Sequence, residues 1–151
     1  MAVAGFAARD FDAFHQGALA KKIVAGRGAL AAKALDGLGS LAFRLPDARA
    51  WTYRPVRGGV ELEHGDDGAD TVIAIDLASW EGLVHDYESA PGLLYCGNVR
   101  CLRGDALQLV LWEPALRALY QGRPVYDPCK PLLDRHGNTL DPARAFAPND
   151  D

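Results

Sequence analysis

The stretch from Asp70 to Asp105 constrains the fold of this chain more than any other. Thr71-Val-Ile-Ala-Ile-Asp-Leu77 alternates with period two and predicts a strand. Trp80, Leu83, Val84 and Tyr87 follow at i, i+3, i+4 and i+7, one apolar helix face, with Ser79 placed to cap its first turn. Pro91-Gly92 is read as the end of that helical region, Leu93-Leu-Tyr95 as an apolar knot, and Gly97 to Arg103 as a fifth strand closed by Gly104-Asp105. A strand, a helix folded back on it and a returning strand bury an apolar layer between sheet and helix. That order suits a hydrophobic pocket better than a catalytic constellation.

The flanking residues extend the pattern. Leu41-Ala-Phe-Arg-Leu45, a Pro46-Asp47 turn and Ala50 to Pro55 predict a hairpin, and Val60-Glu-Leu-Glu-His64 a third strand. Gly65-Asp-Asp-Gly68 then reads as the turn into Thr71–Leu77, so residues 41–77 are expected to form an antiparallel meander with one wet face. Upstream, Asp10 can cap a helix with Phe11, Phe14, Ala18 and Leu19 on one face. Gly26 and Gly28 interrupt it, and Leu30, Ala31, Ala34, Leu35 and Leu38 form a second face stopped by Gly37 and Gly39. Periodicity leaves Ala106 to Trp112 open between strand and helix; Asp105 tilts it to a capped helix that Pro114 either kinks or restarts, running to Tyr120 before Gly122 and Pro124. The expected organisation is an α+β domain over residues 1–122, with its core at about 30–121, and a Pro/Asp-rich arm or linker over 123–151.

Charge and composition exclude several classes. A net charge of −4 with no basic cluster denser than Lys21-Lys22 lacks the footprint of nucleic-acid binding. The sequence holds no apolar run long enough for a membrane span, and Met1 to Ala8 lacks the basic lead of a secretory signal, so a cytoplasmic protein is expected. Cys96, Cys101 and Cys129 match neither a zinc spacing nor a disulfide framework and read as reduced thiols.

Asp70 to Leu77, Ser79 to Tyr87 and Gly97-Asn-Val-Arg-Cys-Leu-Arg-Gly-Asp105, preceded by the Leu41 to His64 hairpin region, resemble the sterol carrier protein type two-like family. The resemblance covers roughly residues 30–121. It implies an α+β fold, a five-stranded, mostly antiparallel sheet covered by helices, and an apolar tunnel between the two for a lipid, fatty-acyl or polyketide-like ligand. It carries the lining role to Trp80, Leu83, Val84 and Tyr87, to Leu93, Leu94 and Tyr95, and to Leu107, Val110 and Leu111. No cofactor and no covalent chemistry are implied: the expectation is a non-catalytic hydrophobic-ligand binder. Trp80, Tyr87 and Tyr95 are bulky for a tunnel, and if they fill it the chain becomes a structural or protein-interaction domain. Trp112 to Pro128 and Leu133 to Asp141 look like the junction ahead of the catalytic part in some bacterial phytanoyl-CoA dioxygenase-like proteins, which implies an N-terminal accessory module serving an oxygenase domain. The final Asn149-Asp-Asp151 departs from the Ser-Lys-Leu peroxisomal address of eukaryotic carriers.

One catalytic alternative competes. His64-Gly-Asp66 with His136 could supply a facial triad for ferrous iron, and Arg144 could hold a 2-oxoacid, as in an Fe(II)/2-oxoacid-dependent oxygenase. That chemistry needs a double-stranded β-helix, whereas residues 78–122 read mostly as helix. His85 beside Asp86 reads as a solvated surface histidine and not as a base with its orienting acid, and His15 is similarly unsupported as a catalytic base. Arg100 and Arg103 read as solvated charges on opposite faces of the fifth strand, with a minority role for one of them as partner to a ligand carboxylate or phosphate.

Overall fold

Five strands form one mixed sheet in the order β3-β2-β1-β4-β5: β1 (Leu41–Arg44), β2 (Ala50–Val56), β3 (Gly59–His64), β4 (Thr71–Ile75) and β5 (Val99–Arg103). The structure, a computed structural model, describes residues 10–125, 132–133 and 135–140. Cys129 and Arg144 lie outside them. The expected meander holds only for β1 to β3. β4 pairs not with β3 but in parallel with β1, Leu41 opposite Thr71 and Arg44 opposite Ala74. Residues 65–70 therefore make a crossover and not a hairpin turn. They span three strand spacings, about 14 Å, which six residues can reach.

The crossover is held on both sides. Beneath it, Ala42, Ala69 and Val72 form a small apolar cluster on the sheet face away from the helices. At its end, the Asp70 carboxylate accepts the Ser40 N–H at 2.9 Å and the Ser40 hydroxyl at 3.0 Å, while Ser40 Oγ accepts the Asp70 N–H at 2.9 Å. Those bonds from Ser40 hold the Asp70 carboxyl below the usual carboxylate range. Arg103 clamps the middle, donating to the carbonyls of Ala69, Asp66 and Asp67.

A helical run over residues 11–32, α1, starts on Asp10, whose side chain accepts the Ala13 N–H at 3.0 Å, and is kinked at Gly26, where φ is 129°. α2 (Leu77–Val84) starts earlier than expected, because Asp76 and not Ser79 is its cap, accepting the Ser79 N–H at 2.7 Å. It also ends early: Asp86 adopts φ 62°, so Tyr87 falls outside the helix. Pro91 does not end a helix but sits in the first turn of another, α3 (Ala90–Tyr95), capped by Ser89. α4 (Leu107–Gln121) resolves the ambiguous segment as a helix, with Asp105 accepting the Leu107 N–H at 2.9 Å and Gly122 as a left-handed C-cap; it continues through Pro114. Arg27 of α1 donates to the carbonyls of Leu119 and Tyr120, satisfying the free end of α4. Within the arm read as linker, β6 (Leu132–Leu133) and β7 (Thr139–Leu140) pair as a short hairpin.

All helices of the core pack on one sheet face. Leu41, Phe43, Trp51, Tyr53, Val60, Ile73 and Ile75 project into them and are buried. Gly104 has φ 82°, and a Cβ there would stand 2.5 Å from the Asp70 carbonyl oxygen and from Thr71 Oγ1. Gly104→Ala is therefore expected to cost more than about 2 kcal/mol in urea unfolding, combining backbone strain with overpacking. Gly97→Ala, at φ 73° with nothing within 4 Å of the new Cβ, should cost only the backbone part, roughly 1 kcal/mol.

Candidate functional site

The space between sheet and helices, where a tunnel is expected, is occupied by rings. Trp80, Trp112, Tyr53, Phe11 and Phe43 are fully buried, with Phe14 and Trp51 nearly so. Phe11 meets Trp80 edge-on at 4.8 Å, Phe43 meets Tyr53 at 5.7 Å, and Tyr53 meets Trp112 at 6.3 Å. A wall of a water-sized cavity would carry accessible area, and these side chains carry almost none.

At the centre lies His15, buried and sandwiched between Trp51 at 5.2 Å and Trp80 at 5.5 Å. Its Nδ1 is 2.7 Å from the Phe11 carbonyl, which can only accept, so Nδ1 carries the proton and Nε2 is an acceptor. The Tyr53 hydroxyl, 2.6 Å away, donates to Nε2, and the Tyr120 hydroxyl, 2.6 Å from Tyr53, donates to Tyr53 in turn. The chain of bonds joins α1, β2 and α4. Burial, reinforced by the neighbouring hydroxyl, pushes Tyr53 well above the ordinary tyrosine value, and burial raises Tyr120 too. Both stay neutral donors. Trp80 Nε1 is buried without a hydrogen-bond partner. Trp51 Nε1 reaches Asp12 at 2.8 Å and Trp112 Nε1 reaches the Gly39 carbonyl at 2.9 Å, so the other two indoles pin the helical layer to its neighbours.

The expected lining residues divide into three groups. Trp80, Leu83, Val84 and Leu93 are buried core; Leu94 and Val110 are half-buried against it. Tyr87, Tyr95, Leu107 and Leu111 face outward, with 74%, 94%, 54% and 42% of their surface exposed. Leu107 and Leu111 lie one turn apart on the same flank of α4. Of the three bulky aromatics, only Trp80 fills the interior. The loop between α2 and α3 is tied to α4: Asp86 pairs with Arg117 at 3.2 Å and Arg123 at 2.7 Å, Glu113 accepts the Ala90 N–H, and Gln121 donates to the Val84 carbonyl. His85 stacks on Tyr87 at 5.7 Å.

The iron reading fails on geometry. His64 lies edge-on to Trp51, Asp66 faces Arg44 at 3.8 Å, and His136 sits beside Arg135 on the exposed β6–β7 turn. Among the described residues no three His, Cys, Asp or Glu side chains gather as a metal set, and the sheet is not a double-stranded β-helix. Arg100 and Arg103 are also reassigned. A β-bulge places Arg100 opposite Ala74 and Arg103 opposite Val72, so both project from the outer face of β5. His15 was missed as a core residue, although Phe11, His15 and Leu19 recur at i, i+4 and i+8 and are all buried.

No protein-family model matches the chain, and no curated protein sequence matches it. Solved structures do share the fold. A conserved hypothetical protein of Thermus thermophilus, described as possibly a sterol carrier protein, matches with a TM-score of 0.53 and 24% identity, over 76% of this chain and 87% of its own. Sterol carrier protein 2 of Yarrowia lipolytica, in its apo form, matches at 0.54 and 19%, over 79% and 96%. A crystal structure of sterol carrier protein 2 matches at 0.53 and 24%, over 72% and 92%. The chain thus has the α+β fold of sterol carrier protein 2. Among the described residues, no helix is long and apolar enough to cross a membrane.

Burial holds the His15 imidazole down at about 4, from 6.5, against the opposing pull of the Phe11 carbonyl and Asp12. The unfolded chain therefore takes up this proton before the folded one does. Stability is fully present above about pH 6.5 and is lost as pH falls towards 4, by on the order of 3 kcal/mol. In urea unfolding across that range, His15→Leu should show an acid limb shallower than wild type by up to about 1.4 kcal/mol per pH unit. Parallel limbs would remove His15 as the cause.

Proposed function

We propose that the chain binds one apolar or amphipathic small molecule on the α3–α4 side of the domain. Leu107 and Leu111 are the first surface such a ligand meets. Leu83, Val84, Leu93, Leu94 and Val110 form the wall behind them, while the His15–Tyr53–Tyr120 centre stays closed. The observation that carries this reading is the pair of large aliphatic side chains left open, one turn apart, on a helix whose other face is fully buried, with half-buried Val110 beside them and Leu94 on the adjoining α3. The fold shared with proteins named sterol carriers supports it. Affinity would come from desolvation, about 0.8 kcal/mol per buried methylene, so ten carbons supply roughly 8 kcal/mol before immobilisation costs. The reading asks no side chain to do covalent chemistry. Its finer form, a ligand presented to a partner oxygenase, takes its support from the resemblance of residues 112–128 and 133–141 to a junction ahead of such an enzyme.

The filled aromatic interior favours a second reading, a protein-interaction domain that keeps the fold without a ligand. Titration with pyrene-labelled dodecanoic acid separates the two. Ligand binding predicts saturable fluorescence, weakened about tenfold or more by Leu107→Asp or Leu111→Asp, since each removes a side chain worth about 1.5–3 kcal/mol when buried. Both variants should keep their folding stability within about 0.5 kcal/mol, because the sites are exposed. Wild-type protein that takes up no probe, and carries no extractable mass in native mass spectrometry, leaves the interaction domain.

A further inference from the structure

We propose that the uncovered half of the sheet's outer face is a second site, which holds the phosphate of an organic phosphate between Arg44 and Arg100. The register sets Arg44 of β1, Ala74 of β4 and Arg100 of β5 directly opposite one another. Their neighbours Phe43, Ile73, Ile75 and Val99 point into the core, so these three side chains project from the face away from the helices. The two arginine backbones are two strand spacings apart, about 10 Å, with only the Ala74 methyl between them. Two guanidinium groups on long arms can close over that small residue onto one ligand group.

The groove around them has a volume of about 530 Å³ and is also lined by Pro46, Asn98 and Leu102. That falls in the range of small-molecule sites and is far more than a bare ion needs. Leu102 is the extra residue of the bulge between the Val72–Arg103 and Ile73–Cys101 pairs, and it stands exposed at the groove wall. It supplies an apolar contact for an organic body next to the charged floor.

The charge balance selects the ligand class. Arg100 has no carboxylate partner among the described residues. Arg44 has only Asp66 at 3.8 Å, beyond hydrogen-bond reach, and Asp66 Oδ2 is itself without a hydrogen-bond partner. Asp76 also lines the groove, at its α2 edge, where its Oδ1 accepts the Ser79 N–H. Arg103, on the same face, is occupied by the crossover carbonyls. In a chain of net charge −4, the open half-face thus holds two guanidinium groups, one without a carboxylate partner among the described residues and one with only a long ion pair. A phosphate monoester, dianionic and able to accept from both arginines at once, fits this floor better than a monoanionic carboxylate.

The groove and the Leu107–Leu111 flank lie on opposite faces of the sheet, so the two proposals stand or fall separately. Amide NMR of the full chain titrated with phenyl phosphate, benzoate and inorganic phosphate tests this one, alongside co-sedimentation with phosphatidic acid vesicles and phosphatidylcholine vesicles. Phenyl phosphate should shift the amides of Ala74, Asn98, Arg100 and Leu102 saturably and more tightly than the other two anions. Arg100→Gln should weaken it about tenfold or more, and Arg100→Lys less. If the natural source is a lipid headgroup, the protein also sediments with phosphatidic acid and not phosphatidylcholine vesicles, Arg100→Gln abolishes this, and phenyl phosphate competes. Absence of both effects, or binding indifferent to Arg100→Gln, overturns the site.

Discussion

The Tyr53 hydroxyl is the point at which the layers of this protein are joined. It donates to His15 on α1 and accepts from Tyr120 on α4, while its own backbone lies in β2, paired on both sides by β3 and β1. A buried hydroxyl without partners costs more than the bond itself contributes, so neither helix can move away from the sheet without leaving polar atoms stranded. The rings stacked around His15 add packing that is lost on the same movement. This lock closes the central interior, so that on the flank of α3 and α4 the apolar side chains open to a ligand are outward ones such as Leu107 and Leu111.

A second consequence of topology is the division of the outer sheet face. Because β4 returns beside β1, residues 65–70 must cross that face, and they cover Ala42 and Val72 under the Arg103 clamp. The next row, Arg44–Ala74–Arg100, stays open. One short crossover therefore both stabilises the parallel pairing and determines which half of the face can meet a ligand.

Local signals were legible where a single residue decides the structure. Asp10 and Asp105 bind the N–H groups of the turns that follow them, as their positions before apolar periodic runs indicate. The strand alternation of residues 41–44, 50–56 and 59–64 was legible for the same reason. Others misled because two outcomes share one signal. Pro91 can stop a helix or open one, and the Ser89 cap decided for opening. Gly65 and Gly68 suit a hairpin or a crossover, and the choice rests on the partners of residues 66–70, far away in sequence. His15 was obscure because a polar residue on an apolar face is costly unless a partner exists, and its partner, Tyr53, lies 38 residues on.

By itself the sequence determined the five strands of the sheet, the helix starts at Asp10 and Asp105, the α+β class and the apolar helical faces, since these follow from periodicity and from atoms within a few residues of each other. Tertiary structure decided the rest: that β4 runs parallel to β1, that the interior is closed by rings, and that a bulge brings Arg100 and Arg103 to one face. Each of these depends on contacts between distant segments, where competing arrangements differ in buried area and satisfied hydrogen bonds and not in local pattern.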